Sequence, residues 1–153
     1  MATAADPRQL PLTPAELRVL LVDDSREDAL LTRKIIERGL PEHVRMTISV
    51  SRSLREAREA LSAPPLEGAY DCVLLDLHLY DGRGVGNIDA VRAVAPQVPV
   101  VVLSGLDDPL AKEQAREHGA QAYVVKKPPS CSDNIYEVIA LVAAGSPLAT
   151  GNG

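Results

Sequence analysis

Phenylalanine and tryptophan are absent from the 153-residue chain and tyrosine occurs four times, so the interior has to be packed with Val, Leu, Ile and Ala. Cysteine is scarce as well: Cys72 and Cys131 are too few for a disulfide framework and lack the close pairing of a zinc or thioredoxin-type site. That usage fits a reducing compartment, and the cytoplasm is the expected location. No stretch approaches the roughly 18 apolar residues of a membrane span. The opening MATAADPRQLPLTP carries neither a cationic segment nor an uninterrupted apolar one, so neither membrane insertion nor a secretory signal is expected. Positive charge is not in excess. The formal net charge is -5, whereas nucleic-acid binding usually shows as a basic face on a basic domain, and no direct nucleic-acid contact is expected.

What is present is the composition of a soluble folded domain. Hydrophobic residues make up 46% and charged residues 24% of a chain long enough for one domain and too short for two of ordinary size. Pro7, Pro11 and Pro14 each resist helix, so residues 1–16 read as a flexible leader; GSPLATGNG, residues 145–153, reads as a flexible tail. Between them, residues 17–144 alternate two kinds of segment. RVLLV (18–22), RMTISV (45–50), YDCVLLD (70–76), VPVVVLS (98–104) and AYVVK (122–126) predict strands.

Helices are predicted between and after those runs. The first opens at Ser25, a capping residue with Asp28 three positions on, and stops before Gly39; SLREAREAL (53–61) and NIDAVRAVA (87–95) follow. DPLAKEQAREHGA (108–120) has Pro109 for a first turn and Gly119 for a stop. In DNIYEVIALVAAG (133–145), Ile135, Val138, Ile139 and Val142 recur at helical spacing, and exposed excess among them would mark a partner or homodimer face. Regular alternation of strand and helix argues for a parallel sheet covered by helices on both faces, with the very apolar third and fourth strands at its centre.

In such sheets chemistry collects beyond the carboxyl ends of the strands. The first strand ends in Asp23 and Asp24, the third in Asp76, the fourth in Ser104 and the fifth in Lys126. Crossover helices bring these ends to one rim, where three carboxylates repel and raise a pKa unless a cation joins them. Mg²⁺ is the natural cation, since it takes oxygen ligands, tolerates one or two protein carboxylates and completes its shell with water and phosphate oxygen. A remaining carboxylate can attack a phosphoryl group to give an aspartyl phosphate, with metal, ammonium and hydroxyl balancing the charge on the equatorial oxygens.

Through these residues the chain resembles the receiver domain of two-component response regulators. The matching pieces are LLVDDS (20–25), VLLDLHLYDGRG (73–84), VVVLSG (100–105) and GAQAYVVKK (119–127), in the family's order, and the resemblance covers about residues 17–144. It implies a flavodoxin-like α/β receiver fold whose five parallel strands lie in the order 2-1-3-4-5, with helices on both faces. It also implies Asp76 as phosphoryl acceptor, and Asp23, Asp24, Asp76 and the backbone carbonyl of His78 as ligands of a Mg²⁺ cofactor. Ser104 and Lys126 would hold the phosphoryl oxygens, and Tyr123 would be the switch aromatic whose rotamer follows Ser104.

The implied partners are a sensor histidine kinase and a downstream protein target or phosphotransfer protein, with homodimerisation as a further route of output. Signalling would run through the face made by the fourth and fifth strands and the helices after them. Only nine residues remain from Gly145, so a single-domain response regulator is expected, with no enzymatic activity beyond self-catalysed phosphoryl transfer and slow autodephosphorylation. Tyr80 and Lys127 stand where the family has proline, and Pro128 and Pro129 are displaced by one position. The path of the loop after Asp76 and the family's cis peptide after the lysine therefore do not carry over. His78 and Leu106 occupy positions whose side chains, in the family, tune the access of water to the phosphoryl group.

Taken singly, each residue has a plainer reading. Asp23 and Asp24 read as a solvated turn into a helix, Ser104 as a hydroxyl satisfying a local amide, Tyr123 as packing and Cys72 as core. Between Lys126 and Lys127, counting from Gly119 favours Lys126. The competing function is a receiver-like adaptor that binds partners without being phosphorylated, against which the intact acidic set argues. A small aspartate-nucleophile phosphatase usually has a second aspartate two residues after the nucleophile, where His78 stands. A flavodoxin-like electron carrier fits less well, because the acidic pocket suits a metal better than a flavin phosphate.

Overall fold

The computed structural model describes residues 16–63, 69–127, 130–131 and 134–145. The expectations for the leader before Glu16, for the tail after Gly145 and for the peptide at Pro128 and Pro129 lie outside the described residues. The parallel strands are β1 (Glu16–Val22), β2 (Arg45–Ser51), β3 (Cys72–Asp76), β4 (Val100–Ser104) and β5 (Ala122–Lys127). They pair in the order 2-1-3-4-5. Glu16, expected in the leader, is the first residue of β1. Ser130–Cys131 adds a short antiparallel pairing to Lys126–Lys127 at the β5 edge, which no local pattern foretold.

The helices are α1 (Arg26–Arg38), α2 (Leu54–Ser62), α3 (Gly86–Val94), α4 (Pro109–Glu117) and α5 (Ile135–Ala143). Side-chain alternation along the strands feeds two cores. Leu17, Val19, Leu21, Leu74, Val101, Leu103 and Val124 pack with Ala29 and Ile36 of α1 and with α5. Leu20, Val22, Val73, Leu75, Val100 and Val102 point the other way, to Ala57 of α2, Ile88 and Val91 of α3 and Ala115 of α4. Burying one Val or Leu stabilises by about 1.5–3 kcal/mol, more than the ~1 kcal/mol span of strand propensities. Burial therefore decides where the strands lie.

Ile135, Val138, Ile139 and Val142 of α5 are all buried, so they serve the core and none is left over for a partner face; Leu141 is the exposed large apolar residue of this helix. Gly119 follows α4 at φ +104, and a Cβ there would meet the guanidinium of Arg92. Among the described residues no helix is long and apolar enough to cross a membrane.

Candidate functional site

The strand ends deliver the side chains. β1 carries its ladder one residue beyond Val22, with the Asp23 amide donating to the Ser51 carbonyl at 3.0 Å. The Asp23 side chain is buried, and its Oδ1 accepts the Ser25 amide at 3.0 Å, which turns the chain into α1. Ser25 caps that helix by accepting the Asp28 amide at 3.1 Å. The reciprocal half of a capping box is absent because Asp23 already holds the Ser25 amide.

Asp76 ends β3, and its Oδ1 accepts the His78 amide at 2.7 Å. Lys126 Nζ lies 3.3 Å from Asp23 Oδ2, 3.4 Å from Asp76 Oδ2 and 3.9 Å from Asp28 Oδ2. Lys127 is exposed, as expected of a residue whose side chain leaves the strand on the opposite face. Asp24 is half-buried and accepts the Tyr80 amide at 3.0 Å. The buried Ser104 accepts the Leu106 amide at 3.1 Å, and the Tyr123 hydroxyl donates to the Leu106 carbonyl at 2.9 Å. Leu106 thus joins the two residues expected to form the switch.

One ammonium among three carboxylates leaves the pocket short of positive charge. Burial alone would depress the Lys126 pKa, but Asp76, Asp23 and Asp28 outweigh it and raise it above the usual lysine value. Asp23 has the opposite problem. Burial raises its pKa, Asp76 adds to the effect, and the Ser25 amide and Lys126 offset it only in part.

Among the described residues no three of His, Cys, Asp and Glu converge closely enough to enclose a metal by themselves. Lys126 contacts both Asp23 and Asp76, and Asp24 is engaged with Tyr80. The donor set nevertheless suits Mg²⁺, which needs only one or two carboxylates and keeps water for the rest of its shell. A divalent cation held between Asp23 and Asp76 would offset the repulsion that Asp76 adds to the burial of Asp23.

The loop after Asp76 follows a path set by groups that sequence reasoning missed. His78–Leu79 pairs antiparallel with Gly82–Arg83. The Leu77 carbonyl accepts the Gly84 amide at 2.8 Å, and buried Asn87 donates from Nδ2 to Leu77 at 3.3 Å and to Gly82 at 2.9 Å. A Cβ on Gly82 would come 2.5 Å from Asn87 Oδ1, so a larger residue there would have to displace the Asn87 side chain that holds the loop. Asp81 accepts the Leu54 amide at 2.9 Å and the Arg55 amide at 3.0 Å. Slight desolvation raises the Asp81 pKa, but those backbone bonds prevail and lower it. Asn87, a buried amide in the first turn of a helix, left a faint signal in the sequence; Asp81 left none, because its partners are 26 and 27 residues away.

A five-stranded, doubly covered sheet with acidic strand ends facing a lysine defines the class: an α/β domain with a charged pocket at the carboxyl edge. Residues 19–139 match the family model of the response regulator receiver domain. The chain belongs to that family. It is 32% identical to the photosynthetic apparatus regulatory protein RegA of Rhodobacter capsulatus, over 85% of this chain and 64% of that protein. It is likewise 32% identical to protein-glutamate methylesterase/protein-glutamine glutaminase 2 of Methanospirillum hungatei, over 79% of this chain and 33% of that protein. The chain thus spans between one third and two thirds of the length of these curated relatives. The receiver domain of Francisella response regulator 1452 has the same fold, with a TM-score of 0.65 and 21% identity over 83% of this chain and 96% of that one. Receiver domains in general work with histidine kinases and downstream targets, accept phosphate and use Mg²⁺.

Proposed function

We propose that this receiver domain accepts a phosphoryl group on Asp76 from a sensor histidine kinase and passes the change to a downstream protein, a phosphotransfer protein or a second copy of itself. The observation that carries the reading is the convergence of Asp23, Asp76 and Lys126 at the ends of three strands. A carboxylate oxygen of Asp76 attacks phosphorus, the bond from phosphorus to the donor breaks, and its electron pair leaves with the donor. Asp23 and Asp24, with Asp76 and the His78 carbonyl, would hold Mg²⁺, which supplies charge to the phosphoryl oxygens when bound.

Lys126, already facing Asp76, pairs with the transferred group. Ser104 turns its hydroxyl from the Leu106 amide to a phosphoryl oxygen. Because Tyr123 holds the Leu106 carbonyl, that exchange reaches the face made by β4, α4, β5 and α5. A groove of about 630 Å³ opens there, lined among others by Lys112, Arg116, Tyr123, Glu137 and Leu141, and supports protein contact as the output. In this reading the chain is no enzyme beyond its own phosphorylation and slow dephosphorylation.

Incubation with Mg²⁺ and acetyl phosphate, followed by intact mass, tests the reading. One phosphoryl adduct is expected, dependent on Mg²⁺ and lost in Asp76→Asn. No adduct, together with unchanged spectra in beryllofluoride, would leave the phosphorylation-independent adaptor as the better account.

A further inference from the structure

The acceptor loop is braced from a side that the phosphoryl chemistry does not itself require. Asp81 sits at the tip of the hairpin that follows Asp76 and takes both the Leu54 and Arg55 amides at the start of α2. The strand leading into α2 ends at Ser51, whose carbonyl takes the Asp23 amide. Next to Asp81, the Tyr80 amide binds Asp24, and two residues earlier the His78 amide binds Asp76. The segments carrying Asp23, Asp24 and Asp76 are thus tied into one closed frame, and Asp81 closes it.

We infer that Asp81 is a positioning residue for phosphoryl transfer at Asp76, acting through the His78–Tyr80 backbone and the N-terminal turn of α2; the inference rests on the acceptor role proposed above. Two charge-assisted bonds from one carboxylate to adjacent amides hold position and direction together, which a single bond does not. Displacement of a reacting group by as little as ~1 Å can cost up to about a hundredfold in rate. Asp81 touches neither the phosphoryl group nor a metal ligand's side chain, so its effect belongs in the rate at saturation rather than in the half-saturating concentration of the donor. The loop is held from within by Asn87 as well, so loss of Asp81 loosens it without unfolding it.

The test compares Asp81→Ala, Asp81→Asn and Ser53→Ala with the unaltered chain. Each is assayed for its rate of phosphorylation by acetyl phosphate at saturating Mg²⁺, for the half-saturating acetyl phosphate concentration, and for thermal melting. Ser53→Ala removes the 3.0 Å cap bond to the Glu56 amide at the same helix end and leaves the hairpin untouched, so it reports what a weaker α2 does alone. Both alanine variants should melt earlier. Only Asp81→Ala should lose maximal rate, by about tenfold, with half-saturation unchanged; Asp81→Asn, which keeps one acceptor oxygen, should recover part of the loss.

An Asp81→Ala rate equal to that of the unaltered chain, or an equal loss in Ser53→Ala, overturns the inference. Should Asp81→Ala fail to fold, Asp81→Asn against Ser53→Ala decides by the same criterion. An unaltered chain that takes no phosphate refutes the acceptor role itself, and that result is distinct from a reactive chain indifferent to Asp81.

Discussion

Asp23 is buried, lies beside a second carboxylate and has only a share of one ammonium. Its raised pKa means that the folded state holds the Asp23 proton more tightly than the unfolded chain does, so ionising it at neutral pH weakens the fold. Asp23→Asn keeps the shape and an acceptor for the Ser25 amide, and should raise Tm at neutral pH; each kcal/mol gained corresponds to roughly 2–4 °C in a chain of this size. The sign follows from the direction of the shift. The gain is full above the folded-state pKa of Asp23 and fades as pH falls through that value toward the ordinary 3.8, where the native carboxyl is neutral too. Melting curves across that range check the prediction, and a variant less stable than the native chain at neutral pH would contradict it. Lys126 behaves oppositely: its raised pKa stabilises the fold at every pH below the ordinary lysine value, and that contribution disappears only as pH rises through the folded-state value.

At the scale of the elements, α4 depends on its stop. Gly119 has a left-handed backbone, and the space a Cβ needs is filled by the Arg92 side chain. Gly119→Ala should therefore cost about 1–3 kcal/mol, read as a lower urea midpoint with an unchanged slope. That stop was legible in the sequence, as were the five strands and five helices, because runs such as Val100–Leu103, the Ser25 cap of α1 and Pro109 in the first turn of α4 announce themselves locally; the Asp108 and Asn134 caps emerge only in the structure. The short pairings of His78–Leu79 with Gly82–Arg83 and of Lys126–Lys127 with Ser130–Cys131 were not legible. Two residues carry no period, and their partners are fixed by what surrounds them. Asp81 was missed for the same reason: its bonds to Leu54 and Arg55 exist only once α2 and the hairpin have been brought together by the sheet. Asp23, Asp76 and Lys126 were legible because each lies at or within one residue of a strand's carboxyl end, and the parallel order 2-1-3-4-5 brings those ends to one edge.

Over the whole molecule, two hydrophobic cores hold a sheet whose edge concentrates negative charge. A ligand that binds the folded state alone stabilises it by mass action, by about 2.7 kcal/mol at a hundred times its Kd. Mg²⁺ should thus raise Tm even without phosphate, and Asp23→Asn, already relieved of one charge, should respond less. Thermal melting with and without Mg²⁺ checks this, and equal responses in the two proteins would count against Asp23 as a ligand. Membership of the receiver family and the matching fold make phosphorylation the expected chemistry, and Asp76 is the side chain proposed to accept it. The most direct measurement is to treat the chain with Mg²⁺ and acetyl phosphate, reduce it with borohydride and sequence the peptides by mass spectrometry. Reduction turns an aspartyl phosphate into homoserine. Homoserine in place of Asp76, and only in the treated sample, is the predicted result; an intact Asp76 with phosphate absent or on another residue would contradict the account.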